Sequence, residues 1–340
     1  MFSQNEIVAN LYALASKVLQ YEDKSLQERA KKLIPLERIT IQTERAQREI
    51  QAEIKKKQTA EESETHVAEL FIFHLMKWFK EEFFTWVDNL DCEKCGGPAV
   101  SRGQTLLHAV SQERIEIFYC IVCCVETRFQ RYNSISDLLE SRRGRCGEWA
   151  NCFTFLCRAL GYQARYIHDL TDHAWTEIYS PTQNRWIHCD PCEVQMDSPL
   201  LYEKGWGKKL TYVLAASWEE VQDVTWRYTG DFASTLQRRN LVSEVELMRT
   251  ILNINKTSNE GVRIAGDLTG RVKSFQRQGE RVVQVLDLLR LPNLEGCFSI
   301  YGGDRRVLSP DSDNGWVYRD EGRVIRLVIQ ISARVIASST

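Results

Sequence analysis

The chain has 340 residues, 43% apolar and 26% charged, enough for one large or two ordinary domains with real cores. A formal net charge of −2 gives no electrostatic case for nucleic acid or an anionic membrane, and no run of about 18 apolar residues suggests a membrane span. Eleven cysteines, an odd number without the framework of a small secreted domain, point to a reducing, cytoplasmic compartment.

Residues 4–34 read as helical, with Ile7, Leu11, Leu14 and Val18 on one stripe, as in a helix packed by one face. The apolar stretch 7–19 is broken by polar residues and has no basic leader, so no signal peptide is expected there. The run EIKKKQTAEESE (53–64) reads as a charged connector or a solvated helix face. Over 64–89 a long aromatic-rich helix is expected, with Leu70, His74, Trp78, Phe84 and Trp86, most of it core. Trp86 stands six residues before a cysteine pair. It reads either as core or as an exposed ring suited to the apolar face of a sugar.

Two C-x2-C pairs follow, Cys92 with Cys95 and Cys120 with Cys123, separated by 24 residues. Four thiolates on two tight knuckles suit a closed, tetrahedral structural site for one zinc ion. The alternating stretch 114–119 between the pairs fits a small zinc ribbon. Cys124 lies beside the second knuckle, but the spacing favours Cys123.

The chemistry concentrates in 142–193. Gly144 and Gly147 bracket Cys146 after the loop RRGR, and Trp149, Phe153, Leu156 and Leu160 follow at helical spacing up to Gly161, a C-cap position. Cys146 thus falls at a helix N-terminus, where backbone N–H groups and the macrodipole favour a thiolate. Three short aromatic and β-branched strands come next, 164–171, 173–180 and 185–191, the last two joined by the turn sequence PTQN. A period of two places His173, Trp175, Glu177 and Tyr179 on one face. With strands about 4.8 Å apart, an antiparallel hairpin can set Asp190 beside His173. Cys146, His173 and Asp190 then read as thiol nucleophile, proton shuttle and orienting carboxylate. Asp172 is the rival orienter, but as the immediate neighbour of His173 it faces the other way.

Taken singly, each of these residues is ordinary, since a buried cysteine usually packs as a small hydrophobe. Their order within 45 residues carries the reading. Arg145 and Glu177 are either solvated charges or parts of the site. Arg145 precedes the nucleophile, and Glu177 lies about 13 Å along the strand from His173, about the reach of a sugar unit. A further C-x2-C, Cys189 with Cys192, has no second pair and reads as packing. Stretches 201–217 and 223–228 read as strands and turns closing the sheet, followed by a last helix over 236–254 and a β-rich tail. The lone sequon at Asn255 has no meaning in a reducing compartment.

The blocks GRCGEWANCFT, DHAWTEIYSP, RWIHCDPCE, GWGKKLTYV and DVTWRY, in this order, resemble the signature blocks of the cytoplasmic peptide:N-glycanase family, a branch of the transglutaminase-like superfamily. The resemblance covers about 78–227. It implies an α+β fold: a transglutaminase-like, papain-like cysteine hydrolase core with N-terminal helices, a four-cysteine zinc insert and a β-rich C-terminal tail. The implied boundaries are 1–90 for the helical part, 91–130 for the insert, 131–255 for the catalytic core and 256–340 for an extension, a truncated or divergent carbohydrate-binding sandwich. It further implies an amidase that cleaves the glycan–asparagine amide of misfolded, denatured N-glycoproteins during ER-associated degradation, in the cytoplasm and also in the nucleus. Trp86, Arg145 and Glu177 would then contact the chitobiose core. A proteasome-shuttling ubiquitin receptor is the implied protein partner, at the N-terminal helices. The competing readings are a catalytically silent scaffold of the same fold binding that shuttle protein, and a transglutaminase passing the acyl group to an amine.

Overall fold

The computed structural model describes residues 4–57, 67–106, 114–183 and 185–264, together with five short strands between 295 and 330. Helices α1 (Gln4–Leu19), α2 (Lys24–Leu33), α3 (Leu36–Lys57) and α4 (Val67–Trp78) come first. The apolar stripe of α1 is buried along its whole length, as its spacing predicts. The stretch 4–34 is divided at Asp23, whose carboxylate accepts the N–H groups of Ser25 (2.8 Å) and Leu26 (3.1 Å) and so starts α2. Pro35 holds Ile34 extended and ends it. The charged run beyond Lys57 lies outside the described residues.

The helix expected over 64–89 stops early. After α4 a π-helical turn, Phe79–Phe83, closes with the Phe84 N–H on the Phe79 carbonyl at 2.8 Å. Phe79 then stacks on Phe84 at 5.1 Å and meets Trp149 and Phe153 edge-on at 5.5 and 5.3 Å. A continuing α-helix would turn residues five apart about 140° away from each other, so the aromatic cluster forms only if the helix ends. The chain leaves as β1 (Thr85–Trp86). Trp86 is therefore a strand residue.

Strands β2 (Val100–Leu106), β3 (Arg114–Cys120) and β4 (Val125–Arg131) make an antiparallel sheet over a small core of Val87, Phe118 and Phe129. Helix α5 (Ile135–Ser141) leads to β5 (Arg143–Gly144), which pairs in parallel with β1, Trp86 opposite Gly144. Then come α6 (Cys146–Ala159), β6 (Ala164–Asp169), β7 (His173–Ser180), β8 (Arg185–Asp190), β9 (Gln195–Met196), β10 (Val213–Ala216) and β11 (Val221–Asp223). The six strands form one antiparallel sheet in the order β11-β10-β6-β7-β8-β9. Ala174 and Ile178 share a core with α6, and Thr154 meets Thr176 at 2.8 Å. Trp175 and Val213 instead pack with Tyr202 and Tyr228. Burying each such side chain stabilises the fold by about 1.5–3 kcal/mol. The sheet is covered on both sides.

The single helix expected over 236–254 is two, α7 (Phe232–Arg238) and α8 (Glu244–Ile264). Between them the Leu241 N–H goes to the Tyr212 hydroxyl, and Ser243 Oγ accepts the Glu246 N–H at 3.2 Å to begin α8. Helix α8 runs through the expected boundary at 255. Farther on, β12 (Glu295–Gly296), β13 (Leu308–Pro310), β14 (Trp316–Asp320), β15 (Arg323–Leu327) and β16 (Ile329–Gln330) form a β12–β16 pair and a three-stranded β13–β14–β15 sheet. The other residues of 265–340, where the carbohydrate-binding sandwich is expected, lie outside the described residues. Among the described residues no helix is long and apolar enough to cross a membrane.

Candidate active site

Cys146 is the first residue of α6, and the backbone that delivers it requires glycine: a Cβ on Gly144 would lie 2.3 Å from Glu148 Cβ. Glu148 turns back to accept the Arg145 N–H at 2.9 Å, and the Trp149 indole N–H binds the Gly144 carbonyl at 3.1 Å. Loop, cap and helix are one unit, with the half-buried thiol of Cys146 at its end.

His173 opens β7 and Asp190 closes β8, so the hairpin brings both to one end of the sheet, buried, with Nε2 2.8 Å from Asp190 Oδ2. With Nε2 on the carboxylate, Nδ1 is the ring nitrogen left to face the Cys146 thiol. Burial alone would lower the imidazole pKa, but its interactions with Asp190 and Cys146 outweigh it and raise it to about 9. The ring is a cation at neutral pH. Burial would likewise raise the Asp190 pKa, but the hydrogen bond and charge of His173 hold it below the usual carboxylate range. Its oxygens accept four donors: His173 and the Tyr202 hydroxyl on Oδ2, the N–H groups of Cys192 (2.8 Å) and Glu193 (3.4 Å) on Oδ1. Asp172 is exposed in a left-handed turn, φ 76°, and the imidazole bond goes to Asp190.

Behind Asp190 runs a directional chain of hydrogen bonds. The Ser198 N–H donates to His188 Nδ1 at 3.3 Å, and burial holds His188 down at about 4, hence neutral. Its proton is then on Nε2, which donates to the Tyr202 oxygen at 2.7 Å. The Tyr202 proton is left for Asp190 Oδ2, at 2.8 Å. In front of the pair, Trp206 is 44% exposed and sets its ring edge-on to His173 at 4.9 Å. Trp86 is 42% exposed, beside the loop that carries Cys146 and 6.0 Å from Trp149. Two exposed indoles flank the triad.

Two of the expected substrate contacts are placed otherwise. Glu177 is completely buried, and its carboxylate is taken by Arg165, Arg227 and the Tyr228 hydroxyl. Burial would raise its pKa, but the two guanidinium charges hold it at about 2. It shares the His173 face, as the period of two requires, yet Tyr228 covers that face. Arg145 points away from the thiol: Nε binds the Val87 carbonyl (2.9 Å), Nη2 the Asp88 carbonyl (2.9 Å), and Nη1 and Nη2 the Glu116 carboxylate (3.2 and 2.7 Å). Glu193, in the turn after Asp190, is an exposed carboxylate whose N–H binds Asp190 Oδ1.

Among the described residues, Cys92, Cys95, Cys120 and Cys123 set their sulfur atoms within 4.8 Å of one another. Gly96 turns the first knuckle at φ 66°, and the Cys123 N–H points at Cys120 Sγ, 3.4 Å away. The Cys95 N–H draws the Cys92 thiol down to about 7, while the bond shared with Cys95 pushes Cys123 up to about 12. Sulfurs this close cannot all ionise without a cation among them. The cluster can hold a metal ion, and four soft donors on two knuckles suit a tetrahedral one. Cys124 is exposed outside it, and Cys189 and Cys192 are buried beside Asp190.

Tyr202, Glu193, Trp206, Glu116 and Arg131 were not singled out by the sequence. Of these, Glu193 closes the block RWIHCDPCE and Trp206 lies in GWGKKL, both conspicuous in the sequence.

Residues 105–191 match the transglutaminase-like superfamily model, and 164–265 match the Rad4 transglutaminase-like domain. The chain is 48% identical over 252 residues to the peptide-N(4)-(N-acetyl-beta-glucosaminyl)asparagine amidase of Gallus gallus, covering 72% of this chain and 38% of that protein. The Homo sapiens enzyme of the same name is 45% identical, over 75% and 39%, and that of Drosophila melanogaster 43%, over 73% and 39%. The chain thus spans under half the length of these relatives. Among solved structures, Rad4–Rad23 bound to a 6-4 photoproduct UV lesion matches with a TM-score of 0.45 and 17% identity, over 74% of this chain and 55% of that one.

Proposed function

We propose that this chain, which carries a transglutaminase-like domain homologous to that of the peptide-N(4)-(N-acetyl-beta-glucosaminyl)asparagine amidases, is itself a cysteine amidase that removes N-linked glycans from asparagine. The observation that supports this most is the buried His173–Asp190 pair at 2.8 Å, with the imidazole pKa raised in part by the Cys146 thiol at the start of a helix.

The Cys146 sulfur attacks the side-chain carbonyl carbon of the glycosylated asparagine, forming a C–S bond, while the Cys146 N–H steadies the oxyanion. His173 gives its proton to the amide nitrogen as the C–N bond breaks, and the glycosylamine leaves. The neutral imidazole then takes a proton from water, which opens the thioester to leave aspartate and the free thiol. Asp190 holds the ring in the required tautomer. Trp86 and Trp206 form apolar walls for the two sugars of the chitobiose core, and Glu193 replaces Glu177 as the carboxylate offered to their hydroxyls. Arg145 acts by holding the loop.

Cys92, Cys95, Cys120 and Cys123 would hold one zinc ion, whose contribution is structural. The substrates are denatured glycoproteins, met in the cytoplasm and nucleus during ER-associated degradation, a setting that a free nucleophilic thiol and a thiolate metal site both require to be reducing. Boundaries near 90 and 130 separate helical part, metal insert and core, and the core includes α8 to Ile264 before the extension. The N-terminal helices, with Tyr12 and Leu19 exposed, are the surface for a shuttle receptor. The test is a gel-shift assay on heat-denatured N-glycosylated ribonuclease with mass spectrometry of the peptide. Aspartate at the former glycosylation site supports the reading. A single N-acetylglucosamine left on asparagine contradicts it.

A further inference from the structure

We infer that Glu116 and Arg131 are positioning residues that transmit metal occupancy of the four-cysteine sheet to the nucleophile Cys146. Glu116 lies on β3, four residues before Cys120, and Arg131 ends β4, the strand that follows Cys123. Glu116 Oε1 accepts from Arg131 Nη1 at 2.6 Å and from Arg145 Nη1 at 3.2 Å, and its Oε2 accepts from Arg145 Nη2 at 2.7 Å. Arg131 also grips Glu148 with two prongs, Nε to Oε1 at 2.7 Å and Nη2 to Oε2 at 2.8 Å. Glu148 in turn holds the Arg145 N–H. The sheet therefore grasps the chain on both sides of Cys146, at 145 and at 148, through four charges linked in a ring.

The carboxylates are well covered, 11% exposed at Glu116 and 7% at Glu148, so their hydrogen bonds are strong and little screened. Among the described residues, the apolar cluster under the sheet is small: Val87, Phe118 and Phe129, with Leu90 and Ala99 partly buried against it. So small a core does not fix three strands alone, and metal ligation supplies the rest. Losing the metal loosens β3 and β4, and with them the grip on residues 145 and 148. The metal thus acts on the nucleophile's geometry as well as on stability.

The inference rests on the proposed function only in taking Cys146 as nucleophile, and its readout is thiol chemistry, independent of any glycan substrate. Glu116→Gln keeps the volume but turns an NH2 group toward guanidinium donors. In the full zinc-loaded chain, alkylation of Cys146 by iodoacetamide at pH 7, followed by peptide mass spectrometry, is expected to slow about tenfold, since the ordered thiolate is the reacting form. Zinc content stays at the wild-type value, and the comparison is made at a temperature where far-UV circular dichroism shows the variant folded. Chelating zinc from the wild type slows Cys146 by a similar factor, but from Glu116→Gln by less than about twofold more, because one route carries both effects. Arg131→Lys keeps the charge but loses the fork, and gives the same slowing in zinc-loaded protein if Glu116→Gln does not fold. Unchanged or faster alkylation in a folded, zinc-loaded variant overturns the proposal. So does a chelation effect of equal size in wild type and Glu116→Gln.

Discussion

The Tyr202 hydroxyl and His173 Nε2 meet on one oxygen, Asp190 Oδ2, each at 2.8 Å. Two donors on that oxygen fix the plane of the carboxylate and favour its ionised form. Without the hydroxyl, His188 Nε2–H loses its acceptor and Asp190 loses one of four partners. Tyr202→Phe is expected to lower kcat about tenfold or more with little change in KM, since a hydrogen bond to a charged group contributes about 1.5–3 kcal/mol. Steady-state kinetics read this directly; an unchanged kcat would mean that the relay is idle.

The His173 pKa near 9 sets a pH limb with a definite sign. The imidazolium that protonates the leaving nitrogen is present below that value and lost above it. Catalysis should therefore fall as pH rises through about 9, as the His173 imidazolium is lost. Tyr202→Phe should move the limb to lower pH, because Asp190 supports the imidazolium less well. A kcat/KM profile still level well above pH 9 would sink this assignment.

Glu177 separates architecture from substrate contact. Its removal strands Arg165 and Arg227 in a buried site, so Glu177→Ala is expected to cost about 3–5 kcal/mol of stability. Glu193→Ala, on the exposed turn, should leave the melting temperature alone and raise KM. Thermal melts of both variants decide between them, and a Glu177 variant that melts like wild type would return that residue to the substrate list.

Much of this was legible in the sequence. The spacing of Trp149, Phe153 and Leu156 after Cys146, and the two-residue period of β7, were enough to set the triad residues on the elements that carry them. So was the spacing of the four cysteines. The failures have a common cause, which is that strand periodicity reports a face but not what covers it. Glu177 does share the His173 face, but Tyr228 arrives from 51 residues away to close it. Arg145 could not be read either, because Glu116 reaches it from another sheet. Trp86 reads as helical in the sequence because a cluster of five aromatics reads alike in both periods; the π-helical turn that stacks Phe79 on Phe84 is a tertiary effect.

Trp86 and Trp206 offer exposed rings, one beside the loop that carries Cys146 and one against His173, so neither contributes much to the core. Trp86→Ala and Trp206→Ala are each expected to raise KM for a glycopeptide by roughly two- to tenfold, the range of an aromatic contact worth about 0.5–1.5 kcal/mol. The melting temperature should move by little. Isothermal titration of the Cys146→Ala protein with chitobiose-bearing glycopeptide, with and without each change, measures binding apart from turnover. Equal affinities would remove the indoles from the sugar site.

Everything depends on Cys146 as nucleophile, and one comparison tests it most directly. Wild type and Cys146→Ala are incubated with denatured N-glycosylated ribonuclease, and the former glycosylation site is read by mass spectrometry. The predicted result is aspartate with the wild type, untouched glycan with Cys146→Ala, and superimposable far-UV circular dichroism for the two proteins. Glycan release by the folded Cys146→Ala protein would contradict the account.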